Sequence, residues 1–235
     1  MTDMWQILRD NWQVLLIGQY PNGPLGGLAL TFVIAVVCLI LTFPSAVLVA
    51  LGRTSGVRWL YWATTVFVVG VRSVPLLMVI FWAYFLAPIV VGFPVDPLFT
   101  LVVAICIYQT AYLSEAIRGG IEGLPNGQVE AARALGLRWL PITLRIVLPQ
   151  ALYNVMPGML NQFTMIIKES SLGSIISVGE VTFMAMRVNN VIIVQPFEVF
   201  AILAAGYFIL CYSLSKASDH LEGRIRRHRR GEQPA

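Results

Sequence analysis

Nine polar side chains lie within long apolar runs or at their ends, where hydrocarbon makes each of them costly. They are Arg72, Ser73, Gln109, Tyr112, Glu115, Gln162, Lys168, Glu169 and Ser170. Polar groups inside membrane segments mark solute pathways by default, and a water-filled cavity lined by charges and amides can bind a zwitterion. Pairing between helices is the competing explanation. These nine residues are therefore candidates for a substrate pathway.

Two of the three clusters coincide with an expected helix break. Arg72 and Ser73 precede Pro75, and a helix broken there exposes backbone groups toward a cavity. Lys168 and Glu169 are adjacent, so they do not face each other on one helix. They either pair with other helices or mark a helix end at a cavity.

The third cluster follows one helix face. Gln109, Tyr112 and Glu115 recur every three residues, which places an amide, a phenol and a carboxylate on roughly the same side. Arg118 is three residues beyond Glu115. An ion pair between these two is the structural alternative to substrate contact.

Bond-breaking chemistry has no support in the sequence. The two lysines, Lys168 and Lys216, do not belong to a phosphate-binding Gly-rich loop, so the chain is not expected to hydrolyse ATP. The two histidines, His220 and His228, lie near the C-terminus, which excludes a His-centred site in the membrane. No metal or other cofactor is expected in this chain. A partner or an ion gradient must supply the energy.

Composition places these residues in a membrane protein. The chain has 235 residues, of which 57% are hydrophobic and 12% charged, about half the charged fraction of a soluble domain. We expect an all-α integral membrane protein with five transmembrane helices. The predicted spans are 25–51, 59–91 with a break at 70–75, 98 to about 117, 151 to about 186 with an interruption at 168–171, and 197–215.

Three regions follow from this pattern: an N-terminal segment (1–24), a transmembrane domain (25–216) and a basic tail (217–235). In the first region, Trp5, Leu8 and Trp12 recur at helical spacing. The segment is therefore either an interfacial helix or a helix packed on the spans.

Basic residues predict the orientation. With five spans, twelve of the 16 Lys and Arg residues fall on one side, which marks it as cytoplasmic. The N-terminus is then outside and the C-terminus inside. The twelve are Arg53, Arg58, Arg118, Arg133, Arg138, Arg145, Lys216, Arg224, Arg226, Arg227, Arg229 and Arg230.

A polar loop at about 119–150 lies on this cytoplasmic side. It predicts a short helix with Asn126 as N-cap and Gly136 as the left-handed residue after its end. Pro149 is expected to bend or end a second helix.

Seven positions of the loop resemble the EAA loop of permease subunits of bacterial ABC importers. The pattern is Glu-Ala-Ala, three residues, Gly, nine residues and Ile-x-Leu-Pro. The resemblance implies that this helix docks in a groove of a partner ATPase and couples ATP binding to the spans. The ATPase-coupling residues would be Glu130, Ala131, Ala132, Gly136, Ile146, Leu148 and Pro149.

Segments 71–76, 111–120 and 167–172 look like those of permeases for polar amino acids such as glutamate, glutamine, aspartate, arginine or histidine. The resemblance implies alternating access in a bacterial inner membrane. It also implies partner ATPases that bind ATP and Mg, a second permease subunit, identical or homologous, and an extracytoplasmic amino-acid-binding protein. Glu169 and Ser170 depart from the Asp and Thr that we expect more often.

Two other functions compete with this expectation. An ion-gradient-driven carrier or channel needs no ATPase, but five spans do not divide into equal inverted halves. A structural scaffold does not explain the complete EAA pattern. The basic tail favours an orientation signal and contact with anionic membrane lipid over nucleic-acid binding, because it follows a span directly.

Overall fold

The computed structural model describes residues 4–193 and 195–230, and this part of the chain is helical with no β-strand. The predicted segments extend further: residues 1–3 and 231–235 lie outside the described residues, as do the side chains of the arginines between 224 and 230. The elements are α1 Met4–Ile17, α2 Gly27–Thr54, α3 Arg58–Arg72, α4 Leu76–Val91, α5 Pro97–Glu122, α6 Gly127–Ala134, α7 Trp139–Ile142, a π-helical turn Thr143–Val147, α8 Leu148–Glu169, a 3-10 segment Ser170–Ile176, α9 Val181–Ile192 and α10 Pro196–Arg230.

Three helices in the described part are long and apolar enough to cross a membrane: Gly27–Thr54, Pro97–Glu122 and Pro196–His220. The pair α3 and α4 adds a fourth candidate and is bent by 102° at its break. The predicted break before Pro75 is therefore present. The predicted run from 151 to about 186 divides into α8, the 3-10 segment and α9. Five spans stay a prediction.

The core forms around α2 and α5, which lie side by side at the centre of the bundle. Ile34 on α2, Ile80 on α4, and Leu101 and Ile105 on α5 are almost completely buried together with Ile166 on α8. The many dispersion contacts between such close-packed side chains stabilise the bundle even where no water is displaced. This packing fixes the positions of the polar side chains on α5 relative to α2, α4 and α8.

Helix α1 packs on the other helices. Its buried residues Ile7 and Leu15 contact Ala185, Val188 and Val199 on α9 and α10. This contact confirms the packed arrangement. The tryptophans on α1 stay exposed, so a position at the membrane interface stays a prediction.

The start of α2 is tied closely to two other segments. Gly27 has φ +59° and its amide donates to the Gly179 carbonyl at 2.9 Å. A Cβ added at Gly27 would lie 2.4 Å from the Leu15 carbonyl oxygen. Only glycine fits this left-handed position beside α1.

Candidate functional site

Glu115 lies at the centre of a charged cluster between α2 and α5. Its carboxylate accepts hydrogen bonds from Arg53 and from Arg118, whose Nε lies 3.1 Å away. The predicted pair of Glu115 and Arg118 is therefore present. Arg53 had been assigned only to the cytoplasmic charge pattern, yet its side chain is just 12% exposed. A sequence gives little warning of such a contact, which joins residues 62 positions apart.

Arg72 connects this cluster to two tyrosines. Its guanidinium lies 3.9 Å from Glu115 and its Cζ lies 5.0 Å from the centre of the Tyr112 ring. The Tyr108 hydroxyl donates to that of Tyr112 at 3.3 Å. Ser73 does not join them, because its hydroxyl bonds to the Val69 carbonyl of its own helix.

An amide chain links α5 to α8. Gln162 donates to Gln109, and Gln109 donates to the Glu169 carboxylate. Gln109 is 1% exposed, so this chain crosses the interior of the bundle. Ser170 is buried and bonds to the Ile167 carbonyl, whereas Lys168 is exposed at the same helix end. Helix α8 thus ends at Glu169, one of the two expected arrangements.

Together, these contacts bring most of the predicted pathway residues to one side of α5. Residues 108–115 carry phenols, an amide and a carboxylate over two helical turns. The break between α3 and α4 adds a guanidinium, and the end of α8 adds a second carboxylate. Opposite charges separated by hydrogen-bonding groups suit the binding of a zwitterion.

The polar loop begins and ends its short helix almost as predicted. Gly136 has φ +79°, its amide donates to Arg133, and the Leu137 amide donates to Ala132 at 3.2 Å. Asn126 occupies the predicted N-cap position, although its side chain makes no capping hydrogen bond. The second helix begins at Trp139 and becomes a π-helical turn over Thr143–Val147, shortly before Pro149 in the first turn of α8. A bend caused by Pro149 stays a prediction.

The three residues of the Glu-Ala-Ala segment separate into two environments. Ala132 is 5% exposed and packs against Ile142 and Val147 within the loop. Glu130 and Ala131 are exposed. The two alanines therefore have different surroundings: Ala132 anchors α6, and Ala131 is exposed to a partner.

Exposed apolar side chains continue this outward face beyond α6. Leu135 is 82% exposed, and Leu137, Trp139 and Leu140 are also exposed. Ile146 is half-buried against Ala132, Ile142 and Val147, and Leu148 packs on α2 and α5. The loop thus has an inner side held by the bundle and an apolar outer side.

Glu180 is a buried carboxylate that the sequence patterns did not single out. It caps α9, accepting from the amides of Thr182 and Phe183 and from the Tyr207 hydroxyl at 3.1 Å. Next to it, the Val181 amide donates to Thr31 on α2 at 3.1 Å. In the sequence, the signal that could have identified Glu180 was a single acidic residue between apolar neighbours.

Residues 43–227 match a family described as the inner membrane component of binding-protein-dependent transport systems. This match extends over most of the chain, and the chain belongs to that family. It is thus a membrane component of a transport system.

Named relatives specify the kind of system. The chain is 34% identical over 204 residues to the inner membrane amino-acid ABC transporter permease YhdY of Escherichia coli, covering 85% of this chain and 56% of the relative. It is 33% identical to the probable glutamine ABC transporter permease GlnM of Bacillus subtilis, covering 93% and 96%. A crystal structure of an amino acid ABC transporter with histidines superposes with a TM-score of 0.83 at 25% identity, covering 95% of this chain and 99% of the other.

The chain is therefore the permease subunit of an ABC importer of this kind. In such systems a separate subunit hydrolyses ATP, and a binding protein delivers the solute.

Proposed function

We propose that this permease carries polar amino acids across a bacterial inner membrane by alternating access. The observation that carries the proposal is the convergence of Arg72, Tyr112, Gln109 and Glu169 beside α5. Relatives named for glutamine, arginine, and glutamate, glutamine, aspartate and asparagine support a polar cargo.

The two carboxylates of the site have different roles in this proposal. Glu115 already pairs with Arg53 and Arg118, so its charge is neutralised within the protein. Glu169 accepts from Gln109 and has no ion pair among the described residues. Glu169 would bind the substrate ammonium, and Arg72, whose side chain is 41% exposed, would bind the carboxylate.

The partner ATPase, which binds ATP and Mg, would dock on the outer face of the polar loop. Glu130 and Ala131 would contact it directly, while Ala132, Gly136 and the segment from Ile146 to Pro149 hold the helix in position. ATP binding shifts the spans only if the ATPase contacts differ between the two membrane states.

The remaining parts of the proposal concern assembly and topology. Five spans per chain would put the two termini on opposite sides, and the basic residues predict the N-terminus outside and the loop in the cytoplasm. A second permease subunit, identical or homologous, completes the pathway, and an extracytoplasmic amino-acid-binding protein delivers the cargo.

Uptake into proteoliposomes tests the proposed cargo and its energy source. The permease, its ATPase and its binding protein are reconstituted with ATP enclosed in the vesicles, on the same side as the polar loop. Entry of labelled glutamate, glutamine, arginine and histidine is then measured. We expect uptake that requires both partners and falls at least tenfold in Glu169→Gln. Glu122→Gln, at a carboxylate 55% exposed at the end of α5, is the matched control and should retain uptake.

Uptake that requires a sodium or proton gradient instead of ATP would replace this proposal with an ion-gradient-driven carrier. ATP-driven uptake that is unchanged in Glu169→Gln would keep the importer and remove Glu169 from the substrate site.

A further inference from the structure

An apolar groove of about 700 Å³ runs between α1 and α10, away from the polar cluster on α5. Trp5 and Trp12 line it from α1, and Leu203, Gly206 and Ile209 line it from α10. Both tryptophans are more than half exposed, at 71% and 53%. The described residues of the bundle thus leave this groove open to its surroundings.

A cation, Arg9, lies on the same side of α1 as the two tryptophans that line the groove. Arg9 follows Trp5 by four residues and precedes Trp12 by three, so the three side chains share one side of α1. Arg9 is exposed and has no ion pair among residues 4–193 and 195–230. An apolar groove beside a guanidinium without an ion pair suits one kind of ligand, an amphiphile with an anionic head group.

We propose that the groove binds an acyl chain of a membrane phospholipid whose phosphate pairs with Arg9. Guanidinium forms charge-assisted, bidentate hydrogen bonds with phosphate oxygens. Tryptophans favour the boundary between headgroups and hydrocarbon, and here they flank the cation. Helix α1 would thus hold the lipid against the first half of α10.

Other occupants fit the groove less well. An amino acid has two charged groups, and the apolar lining offers them no partners. An apolar face of a second copy would fill the groove but leave Arg9 without a counter-ion. The inference depends on the membrane location of the chain and is independent of the cargo.

Photolabelling of the reconstituted transporter tests the site. The vesicles contain phosphatidylglycerol and a small fraction of phosphatidylglycerol with a diazirine at the end of one acyl chain. We expect label in peptides covering 4–17 and 196–212. Gly206→Trp should reduce that label at least fivefold, because a side chain there enters open space in the groove.

Two controls separate the site from general lipid contact. Phe208→Trp alters the same helix at a residue that is 65% exposed and does not line the groove, so its label should stay unchanged. Arg9→Gln should reduce label at least threefold, and Arg9→Lys, which keeps the charge, should retain most of it.

Equal labelling of Gly206→Trp and Phe208→Trp would overturn the proposal, since contact would then be non-specific. A cross-link between two copies through Trp12→Cys, with little lipid label, would assign the groove to a second copy. Loss of amino acid uptake with intact labelling would instead contradict the proposed cargo and leave this inference standing.

Discussion

Glu115 on α5 is the single residue whose loss would take a negative partner from two arginines. Glu115→Gln would remove the negative partner of Arg53 and Arg118. We expect a destabilisation of about 2 kcal/mol, below the roughly 3–5 kcal/mol of a fully buried pair, because water reaches part of the cluster. Thermal unfolding of the purified permease measures it.

Glu122→Gln is the control for this change, because Glu122 pairs with the same Arg118 but is 55% exposed. Exposed pairs contribute about 0–1 kcal/mol, so its unfolding temperature should stay close to that of the wild type. Equal effects of the two variants would contradict the central role given to Glu115.

Gly136 tests the loop at the same scale. We expect Gly136→Val to reduce ATPase retention in a detergent pull-down at least tenfold, because a β-branched residue does not adopt φ +79° without strain. Gly136→Asn should retain the partner, since asparagine tolerates this region. Because a Cβ at Gly136 meets open space, the effect would come from the backbone alone.

A matched control exists at Gly56, which also has open space around its Cβ but no left-handed φ. Gly56→Val should leave ATPase retention unchanged. Full retention in Gly136→Val would show that the end of α6 is not needed for docking.

At this scale the sequence predicted what depends on local chemistry. Gly136 was predicted correctly because a helix end that requires left-handed backbone favours glycine. The role of Arg53 was not predictable, because its contact with Glu115 depends on how α2 and α5 pack. Asn126 was predicted correctly as the N-cap residue, but its side chain makes no capping hydrogen bond.

Among the elements, one buried hydroxyl links α2 directly to the start of α9. Thr31 donates to Gly27 at 3.2 Å and accepts from the Val181 amide at 3.1 Å. We expect Thr31→Val to destabilise the permease by about 1–3 kcal/mol, because the buried amide loses its partner. Its unfolding temperature should fall accordingly.

Ser45→Ala is the control, since its exposed hydroxyl bonds only to Leu41 of the same helix. It should unfold at nearly the wild-type temperature. If Thr31→Val did so too, water or another group would have to satisfy Val181, and the junction would not depend on Thr31.

Helix boundaries were predicted correctly where an apolar run is too long for one straight span and contains a proline. The break before Pro75 follows from proline chemistry. Pro149 closely follows the π-helical turn and lies in the first turn of α8, a position that proline also fits. The α8–α9 region divides at a 3-10 segment and at Ser177, which has φ +65°. The first of these breaks coincides with the interruption predicted at 168–171, whereas the second, beside the Glu180 cap of α9, was not predicted.

At the scale of the whole molecule, orientation is the expectation that most needs a direct measurement. In a variant without its three native cysteines, Gly56→Cys and Phe93→Cys place one thiol in each of two loops that are expected on opposite sides of the membrane. We expect a membrane-impermeant maleimide applied to intact spheroplasts to label Phe93→Cys only, because basic residues mark the Gly56 side as cytoplasmic.

Lysed membranes provide the control, since both thiols should then react. Labelling of Gly56→Cys in intact spheroplasts would invert the topology and place the polar loop where no cytoplasmic ATPase reaches it.

The bend between α3 and α4 has a consequence for the bilayer itself. At 16 residues, α4 is about 24 Å long, shorter than the roughly 30 Å of hydrocarbon in a typical membrane. We expect lipids beside α4 to shorten or tilt, which would make the hydrocarbon thinnest near the bend and bring Arg72 closer to water. The permease should then take up its cargo faster in membranes of short-chain lipids than in thick ones.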